Sequence, residues 1–444
     1  MNIIRGIIGI ISLLAIAFLF SNNKKNINWR LVIIGVSIQF VLAVFILKGD
    51  TLAGYFSPLG WPKDFFSWIS SFFVAVLNFT TQGAKFIFGD LAKSPGTKGS
   101  MGSFFAFQVL PTIVFFGSLT SLLYHYGILQ RIVKFMAVGM QKLLGTSGAE
   151  SLSVISNIFV GQTEAPLIVK PYIERMTQSE LLAVMTGGMA TIAGGVMAAY
   201  IQMLGNSYSQ AHHVTLAAGR LMFAQQLLGA SLMAAPAALV ISKMMYPETK
   251  ESLTSGNVKL SIEKTDANGI DAAASGAAQG LKLALNVGAM LLAFIALLAM
   301  INSMLHWVGV QIGLNALIPG FQLNIQNVLG WIFAPIAFLI GVPWQDVVHM
   351  GSLLGTKLVL TEFIAYLDLA KAVLVGSLTP KTITMATFAL CGFANFSSIA
   401  IQIGGIGGLA PSRKSDLAKF GVKAVIAGTL ANLMTATIAG MLFS

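Results

Sequence analysis

The decisive stretch of this sequence is NIFVGQTEAP at residues 157–166, a polar segment with glycine and proline inside an otherwise apolar run. A related pattern returns later in the chain as TEFIAY at residues 361–366. Glu164 and Glu362 therefore lie within apolar sequence. A carboxylate at bilayer depth is costly and is normally retained for a ligand, an ion or a proton. Two such sites in corresponding positions predict a binding site near the bilayer midplane, as in secondary transporters.

The composition places the chain in lipid. Of its 444 residues, 56% are hydrophobic and only 10% are charged, whereas a soluble globular chain carries about 25% charged residues. The net charge of +11 is assigned to cytoplasmic loops rich in Lys and Arg, so nucleic acid is not expected as a partner. The single cysteine, Cys391, excludes an intrachain disulfide, and no His or Cys cluster has metal-ligand spacing.

Apolar segments of about 20 residues, the length that spans a bilayer, predict an all-α polytopic membrane protein with eight transmembrane helices. The eighth span is a run near 382–407 that polar residues and glycines interrupt. Shorter apolar segments predict interfacial helices and two re-entrant helical hairpins, at about 147–173 and 345–370. The clear spans are predicted at about 4–21, 31–48, 103–125, 180–204, 220–243, 283–304 and 422–442.

The distribution of positive charge predicts the orientation of this multi-pass chain. Most clusters of Lys and Arg face the cytoplasm when eight spans are counted and both termini lie outside the cytoplasm. The short loops 205–213 and 305–312 carry neither residue and fall on the outer side. The segment 49–102 carries lysines on the outer side, but it is long and partly interfacial, so it constrains the orientation less.

An internal repeat relates residues 103–245 to residues 272–444. Each unit contains a span, an amphipathic piece, a glycine turn, a Thr-Glu pair and a broken span, in that order. The broken spans GMATIAGG at 188–195 and GFANFSSI at 392–399 correspond in order, although their identity is weak. Three full spans in the first unit invert the second, which is the architecture of many secondary transporters. Chance similarity among apolar segments is the alternative.

Two regions lie outside the repeat. Residues 1–102 contain spans one and two and an interfacial helix. Residues 246–271 form the only extended hydrophilic segment and are predicted to be a flexible cytoplasmic linker between the two halves.

The chain resembles the concentrative nucleoside transporter family, and most closely its bacterial eight-span members. The motifs that carry this resemblance run through nearly the whole sequence in order: GQTEAPL at 161–167, DAAASGA at 271–277, LALNVGAM at 283–290, GVPW at 341–344, EFIAY at 362–366 and CGFANFSSIA at 391–400. The resemblance implies a homotrimer in a bacterial inner membrane. It also implies that each protomer has a scaffold, to which residues 1–102 are assigned, and a transport domain that moves like an elevator.

The resemblance implies a site built from both hairpins and both broken spans. The residues expected to contact a nucleoside such as uridine are Gln162, Thr163, Glu164, Val196, Leu283, Glu362, Phe393, Asn395 and Ser398. The three hairpin residues at 162–164 would face the nucleobase, and Glu362, Asn395 and Ser398 would bind the ribose. The sodium ion (Na+) is expected at the Asn157 side chain, the Val160 carbonyl, Thr191 and the Ile192 carbonyl.

Two positions depart from the family pattern. Thr361 stands where the family commonly has Asn, which removes an amide beside Glu362 and puts sugar geometry or base preference in doubt. Thr191 replaces the more usual Ser but keeps the hydroxyl that an ion site needs.

The residue types suit a neutral, sugar-linked base. The Glu362 carboxylate can accept hydrogen bonds from ribose hydroxyls, and such charge-assisted bonds are about twice as strong as neutral ones. Asn395 and Ser398 can both donate and accept. Neither polar motif contains Lys or Arg, so phosphorylated nucleotides are expected to be rejected.

Sodium is the expected coupling ion because its hydroxyl and amide ligands are intact. Proton coupling through a desolvated Glu164 or Glu362 is the alternative. A passive channel and a membrane-embedded enzyme are less favoured, since none of the five histidines falls in the two motifs. No organic cofactor is expected.

Overall fold

The structure, a computed structural model, describes residues 2–94, 97, 99–254, 266–313 and 323–443. Within these residues every regular element is a helix, as the sequence predicts. The N-terminal part contains α1 (Asn2–Leu19), α2 (Trp29–Tyr55), α3 (Trp61–Phe88), α4 (Phe105–Gln108), α5 (Leu110–His125) and α6 (Ile128–Leu144).

Two series of shorter helices follow, each ending in one long helix. The first series contains α7 (Gly148–Ser156), α8 (Ala165–Ile168), α9 (Lys170–Ile173), α10 (Gln178–Ala190), α11 (Gly194–His212) and α12 (Leu216–Met245). The second series comes after the long α13 (Gly269–Gln311). It contains α14 (Ile325–Leu339), α15 (Val347–Val359), α16 (Glu362–Val375), α17 (Pro380–Ala389), α18 (Phe396–Leu409) and α19 (Lys414–Leu442).

Seven helical stretches in the described residues are long and apolar enough to cross a membrane, and they correspond to the seven clear spans of the sequence analysis. The expected eighth span, near 382–407, consists of the two shorter helices α17 and α18. The predicted hairpin regions contain α7 to α9 and α15 to α16, each with a non-helical tip. The repeat comparison also predicts the interruption between α10 and α11.

The long helices fall into two groups by burial. Helix α12 lies at the centre, where it contacts α2, α10, α11 and α19. In its apolar stretch of 18 residues, 89% of the residues are buried. Helix α13 has only 17% of the residues in its apolar stretch buried and packs chiefly along α5. Glycines permit this packing: a Cβ on Gly117 would lie 2.7 Å from the Gly276 carbonyl oxygen. Small residues let membrane helices approach closely, so α5 and α13 form a pair beside the buried body.

The two broken spans touch each other at their breaks. Helix α10 ends at Thr191, whose backbone is extended with φ −119° and ψ 168°. Helix α17 ends before the loop that carries Phe393, and the Phe393 amide donates to the Thr191 carbonyl at 3.3 Å. Loose helix ends from both halves of the chain therefore meet inside the protein.

The segment predicted to be a flexible linker is partly packed. Within 246–254, the carbonyl of Thr254 accepts from the Gly148 amide at 2.9 Å, and its hydroxyl accepts from the Ala149 amide at 3.2 Å. The first amides of a helix have no intrahelical acceptor, and Thr254 supplies acceptors for two of these amides in α7. Residues 246–254 thus contact α7, and the flexibility of the segment stays a prediction. Residues 255–265 lie outside the described residues.

Candidate functional site

A chain of four buried polar side chains joins both predicted hairpins to the second broken span. The Gln162 amide nitrogen donates to the Ser398 hydroxyl at 3.1 Å, and the Ser398 backbone amide donates to Asn395 Oδ1 at 2.9 Å. Asn395 Nδ2 then donates to Glu362 Oε2 at 2.7 Å. The structure thus brings together four of the nine expected substrate contacts, and none of the four is more than 6% exposed.

Two of the four hydrogen-bonded side chains, Glu362 and Asn395, are positioned by the N-termini of helices. Asn395 precedes the first residue of α18 and caps that helix with its side-chain oxygen, which leaves its nitrogen to donate to Glu362. Glu362 is the first residue of α16, where the helix dipole favours a carboxylate. Thr361 caps the same helix by accepting from the Ile364 amide at 3.5 Å. The threonine that departs from the family pattern therefore has a local structural role.

Tyr200 is a member of the site that the sequence analysis missed. Its hydroxyl donates to Glu362 Oε1 at 3.1 Å, so each oxygen of this carboxylate has a donor. The Tyr200 ring stacks on Tyr366 at 4.2 Å between centroids and meets Phe363 edge-on at 5.1 Å. The available signal was spacing, since Tyr200 follows Val196 by one helical turn and Tyr366 follows Glu362 by one turn.

Gln402 is the second residue that the sequence analysis missed. Its Nε2 donates to Gln162 Oε1 at 3.1 Å and to the Met185 carbonyl at 3.0 Å. Gln402 lies one turn after Ser398 on α18 and is fully buried. By holding the oxygen of Gln162, it directs the Gln162 nitrogen towards Ser398.

The other five expected substrate contacts have different surroundings. Val196 is buried on α11, while Phe393 in the break and Thr163 in the first tip are half-buried. Glu164 is exposed, and its carboxylate turns back over Gly161, whose missing side chain leaves the space. Leu283 is 41% exposed on α13. Glu164 and Leu283 thus lie outside the hydrogen-bonded chain.

The residues expected to bind sodium lie at the first tip, between α7 and α8, and at the break between α10 and α11. Asn157 directly follows α7, and its Nδ2 donates to the Ser153 carbonyl at 3.0 Å. The Asn157 Oδ1 atom is buried without a hydrogen-bond partner among the described residues. Such an atom needs an explanation, because leaving it unpaired costs about 1–3 kcal/mol. A cation that takes this oxygen as a ligand would supply one.

Among the remaining expected ligands, Val160 lies on the same tip as Asn157, and Thr191 and Ile192 lie between α10 and α11. The Gly194 amide donates to the Phe159 carbonyl at 3.2 Å, which fixes the first tip beside the break between α10 and α11. Thr191 is buried, and its hydroxyl donates to the Gly187 carbonyl at 2.8 Å, so its lone pairs are free to face an ion. Ile192 is buried and Val160 is half-buried. The oxygen-rich donor set fits sodium.

Three protein-family models match successive parts of the chain. The model described as "Na+ dependent nucleoside transporter N-terminus" matches residues 8–91, "Nucleoside recognition" matches 106–207 and "Na+ dependent nucleoside transporter C-terminus" matches 226–440. The uncharacterized transporter YutK of Bacillus subtilis is 45% identical over 99% of this chain and 100% of its own length. The nucleoside permease NupC of Helicobacter pylori is 40% identical over 98% of this chain and 96% of its own.

Solved structures match over the whole chain. CNTnw in an inward-facing, substrate-bound state gives a TM-score of 0.86 at 42% identity, covering 100% of this chain and 98% of that chain. A substituted CNTnw in an outward-facing state gives 0.85 at 41% identity with the same coverage. Fold and site together define a multi-pass membrane transporter. The chain belongs to the concentrative nucleoside transporter family, whose members are nucleoside transporters and not enzymes.

Proposed function

We propose that this protein is a symporter that imports nucleosides such as uridine down a sodium gradient. The observation that carries the proposal is the buried chain from Gln162 through Ser398 and Asn395 to Glu362. It places one carboxylate, two amides and a hydroxyl where segments from both halves of the protein meet.

The chemistry of this chain suits a nucleoside. Glu362 offers a charged acceptor to ribose hydroxyls, and hydrogen bonds to charged groups contribute about 1.5–3 kcal/mol each. Asn395 and Ser398 can donate or accept. Gln162 offers both a donor and an acceptor to the edge of a base. Val196 on α11 and Phe393, between α17 and α18, are the apolar contacts expected for the same substrate. When a nucleoside binds, hydrogen bonds to its polar groups would replace some of the hydrogen bonds among these side chains.

Sodium would stabilise the nucleoside site from one side. An ion held by Asn157, the Val160 carbonyl, Thr191 and the Ile192 carbonyl would join the first tip to the break before α11. Gln162 lies on the same tip, so ordering that tip also orders a substrate contact. Positive coupling of about 1–3 kcal/mol is typical between linked sites and would change nucleoside affinity about 5- to 150-fold.

We further propose alternating access of the elevator type, in which two re-entrant hairpins and their broken spans move together. Relatives of this fold are known in inward-facing and outward-facing states. The α5–α13 pair suits a fixed scaffold, because its mainly exposed apolar surface can face lipid or other protomers of a homotrimer. Helices α1 and α2 pack against α12 and α19, so their contacts favour movement with the buried body and not the scaffold role predicted for residues 1–102.

For the membrane setting, we propose a bacterial inner membrane with both termini outside the cytoplasm. This orientation keeps most clusters of Lys and Arg on the cytoplasmic side.

The test is uptake of radiolabelled uridine into proteoliposomes that contain the purified protein. A sodium gradient at equal pH on both sides is expected to drive accumulation above the external concentration, and a pH gradient without sodium is expected to drive none. Accumulation with the pH gradient alone would identify proton coupling instead. Equilibration without accumulation under either gradient would identify a passive channel.

A further inference from the structure

Lys357 is a fully enclosed lysine in the last turn of α15, within the second hairpin. It is only 2% exposed. Its ammonium donates to the Ala389 carbonyl at 2.9 Å and to Asn432 Oδ1 at 2.7 Å. Both of these partners are neutral oxygens. A charge buried at bilayer depth is costly and is usually retained for function, yet the nucleoside site described above does not include Lys357.

The ammonium lies where helix C-termini converge. Ala389 is the last residue of α17, and Lys357 itself belongs to the end of α15. Through Asn432 it also reaches the end of α10, because Asn432 Nδ2 donates to the Ala190 carbonyl at 2.7 Å and to the Cys391 carbonyl at 2.8 Å. The last carbonyls of a helix lack intrahelical donors and carry partial negative charge. A cation is therefore favoured at this junction.

The first half of the protein has a matching junction with the opposite chemistry. There Asn157 directly follows α7, on the tip whose Phe159 carbonyl accepts from the Gly194 amide after the break that follows α10. In the second half, Lys357 near the end of α15 contacts the Ala389 carbonyl at the end of α17. The first junction presents Asn157 Oδ1, which has no hydrogen-bond partner among the described residues and which a cation could take as a ligand. The second junction carries a cation that is covalently part of the chain.

We propose that Lys357 is a tethered cation that does in the second half what the coupling sodium does in the first half. The proposal rests on the sodium site put forward under the proposed function. Lys357 ties the second hairpin to the second break, because its ammonium donates to the carbonyl of Ala389 at the end of α17. Only the first junction then needs a mobile ion, so the sodium dependence of nucleoside binding is expected to have a Hill slope of about 1.

A small cavity completes the surroundings of the ammonium. It has a volume of about 20 Å³, and its lining is mainly apolar, with Lys357 and Thr429 as the polar side chains. The Thr429 hydroxyl is buried without a hydrogen-bond partner among the described residues. Because the lining is mainly apolar, the buried ammonium depends chiefly on the two oxygens that it contacts, the Ala389 carbonyl and Asn432 Oδ1.

The test compares Lys357→Arg, Lys357→Gln and Lys357→Met in the purified full-length protein. Uridine binding is measured by calorimetry, with sodium chloride replaced stepwise by choline chloride at constant ionic strength. Arginine keeps the charge, so its uridine Kd is expected within about threefold of wild type at saturating sodium. Glutamine and methionine remove a buried charge from its partners and are expected to weaken uridine binding at least about tenfold. The sodium Hill slope is expected to stay near one in every variant. Lys371→Gln, which changes an exposed lysine of the second hairpin, is the matched control and should bind like wild type.

Two results would overturn the proposal. One is a Lys357→Gln protein with wild-type uridine affinity. The other is wild-type uridine binding that falls at least tenfold between about pH 6 and pH 9 while Lys357→Arg stays constant, because a titrating lysine would then be a proton carrier. If the Gln and Met proteins fail to fold, the wild-type sodium titration decides: a Hill slope near one supports the proposal, and a slope near two overturns it. Failure of the proposed function is read separately, as sodium-independent uridine binding by the wild type.

Discussion

The two hairpin segments differ in how their tips are held. In the first, residues 157–164 separate α7 from α8, and this tip contains the unpaired oxygen of Asn157. In the second, only Leu360 and Thr361 separate α15 from α16, and Thr361 caps the following helix. The first tip is long, and its Asn157 Oδ1 atom has no hydrogen-bond partner among the described residues, whereas the second tip is short and closely follows Lys357, whose ammonium is hydrogen-bonded. Under the proposed function, a bound sodium ion would order the first hairpin, whereas a covalently attached cation, Lys357, would do so in the second.

The largest effect is expected at Glu362, in comparison with Glu164, the glutamate of the other Thr-Glu pair. Glu362→Gln removes the charged acceptor of the proposed ribose site, so uridine affinity should fall about 10- to 150-fold, the equivalent of one hydrogen bond to a charged group. Glu164→Gln changes an expected base contact that is exposed and lies outside the hydrogen-bonded chain, so its effect should be smaller, below about threefold. Calorimetric titration at saturating sodium measures both. Equal losses in the two variants would contradict the asymmetry between the hairpins.

A second prediction concerns the ion. Asn157→Ala removes the unpaired oxygen, so the sodium concentration needed for half-maximal uridine binding should rise at least about tenfold, since each ligand contributes to a coupled site. Uridine affinity at saturating sodium and the order of preference among nucleosides should change less. Asn302→Ala, which alters an asparagine on α13 bonded to Gln326, is the control. An unchanged sodium titration in Asn157→Ala would remove this residue from the ion site.

A third prediction separates two stacked tyrosines. Tyr200→Phe deletes one of two donors to Glu362 and leaves Asn395 Nδ2 in place, so uridine binding should weaken about 2- to 12-fold, the value of a typical intramolecular hydrogen bond. Tyr366→Phe keeps the stacked ring and removes a bond to the Thr387 carbonyl, so it should leave uridine affinity nearly unchanged and lower the melting temperature instead. The opposite ranking of the two affinities would show that the ring, and not the Tyr200 hydroxyl, supports the site.

The smallest effect is expected at the base of the first hairpin. Thr254→Val removes the hydroxyl that accepts from the Ala149 amide, and loss of a helix cap costs about 1 kcal/mol. Thermal unfolding in detergent should show a small decrease in stability with an unchanged uridine Kd. A large loss of uridine affinity would mean that the 246–254 segment controls the first hairpin and does not merely cap it.

Hydrophobicity predicted most of the fold because a spanning helix must be apolar along its length. The seven clear spans all correspond to helical stretches in the described residues. The start of α13 was placed at 283, whereas the helix begins at Gly269. Its first turns are rich in alanine and glycine, which pack against α5 but add little hydropathy. The hydropathy of the sequence therefore does not predict a helix boundary, such as the start of α13, that depends on packing against another helix.

The site was predicted only as far as its motifs. Resemblance selected Gln162, Glu362, Asn395 and Ser398, and the structure joins them. Tyr200 and Gln402 were missed because their roles depend on partners far away in sequence. Lys357 offered a signal that the sequence analysis did not use, since a lysine inside an apolar hairpin is as costly as the glutamates that were singled out.

Simultaneous measurement of radioactive sodium and tritiated uridine entering proteoliposomes tests the central comparison most directly. If the first hairpin takes a mobile cation and the second carries its own, one sodium ion should enter with each uridine, and Asn157→Ala should disrupt that ratio. Two sodium ions per uridine, or uridine accumulation with no sodium entry, would contradict the account.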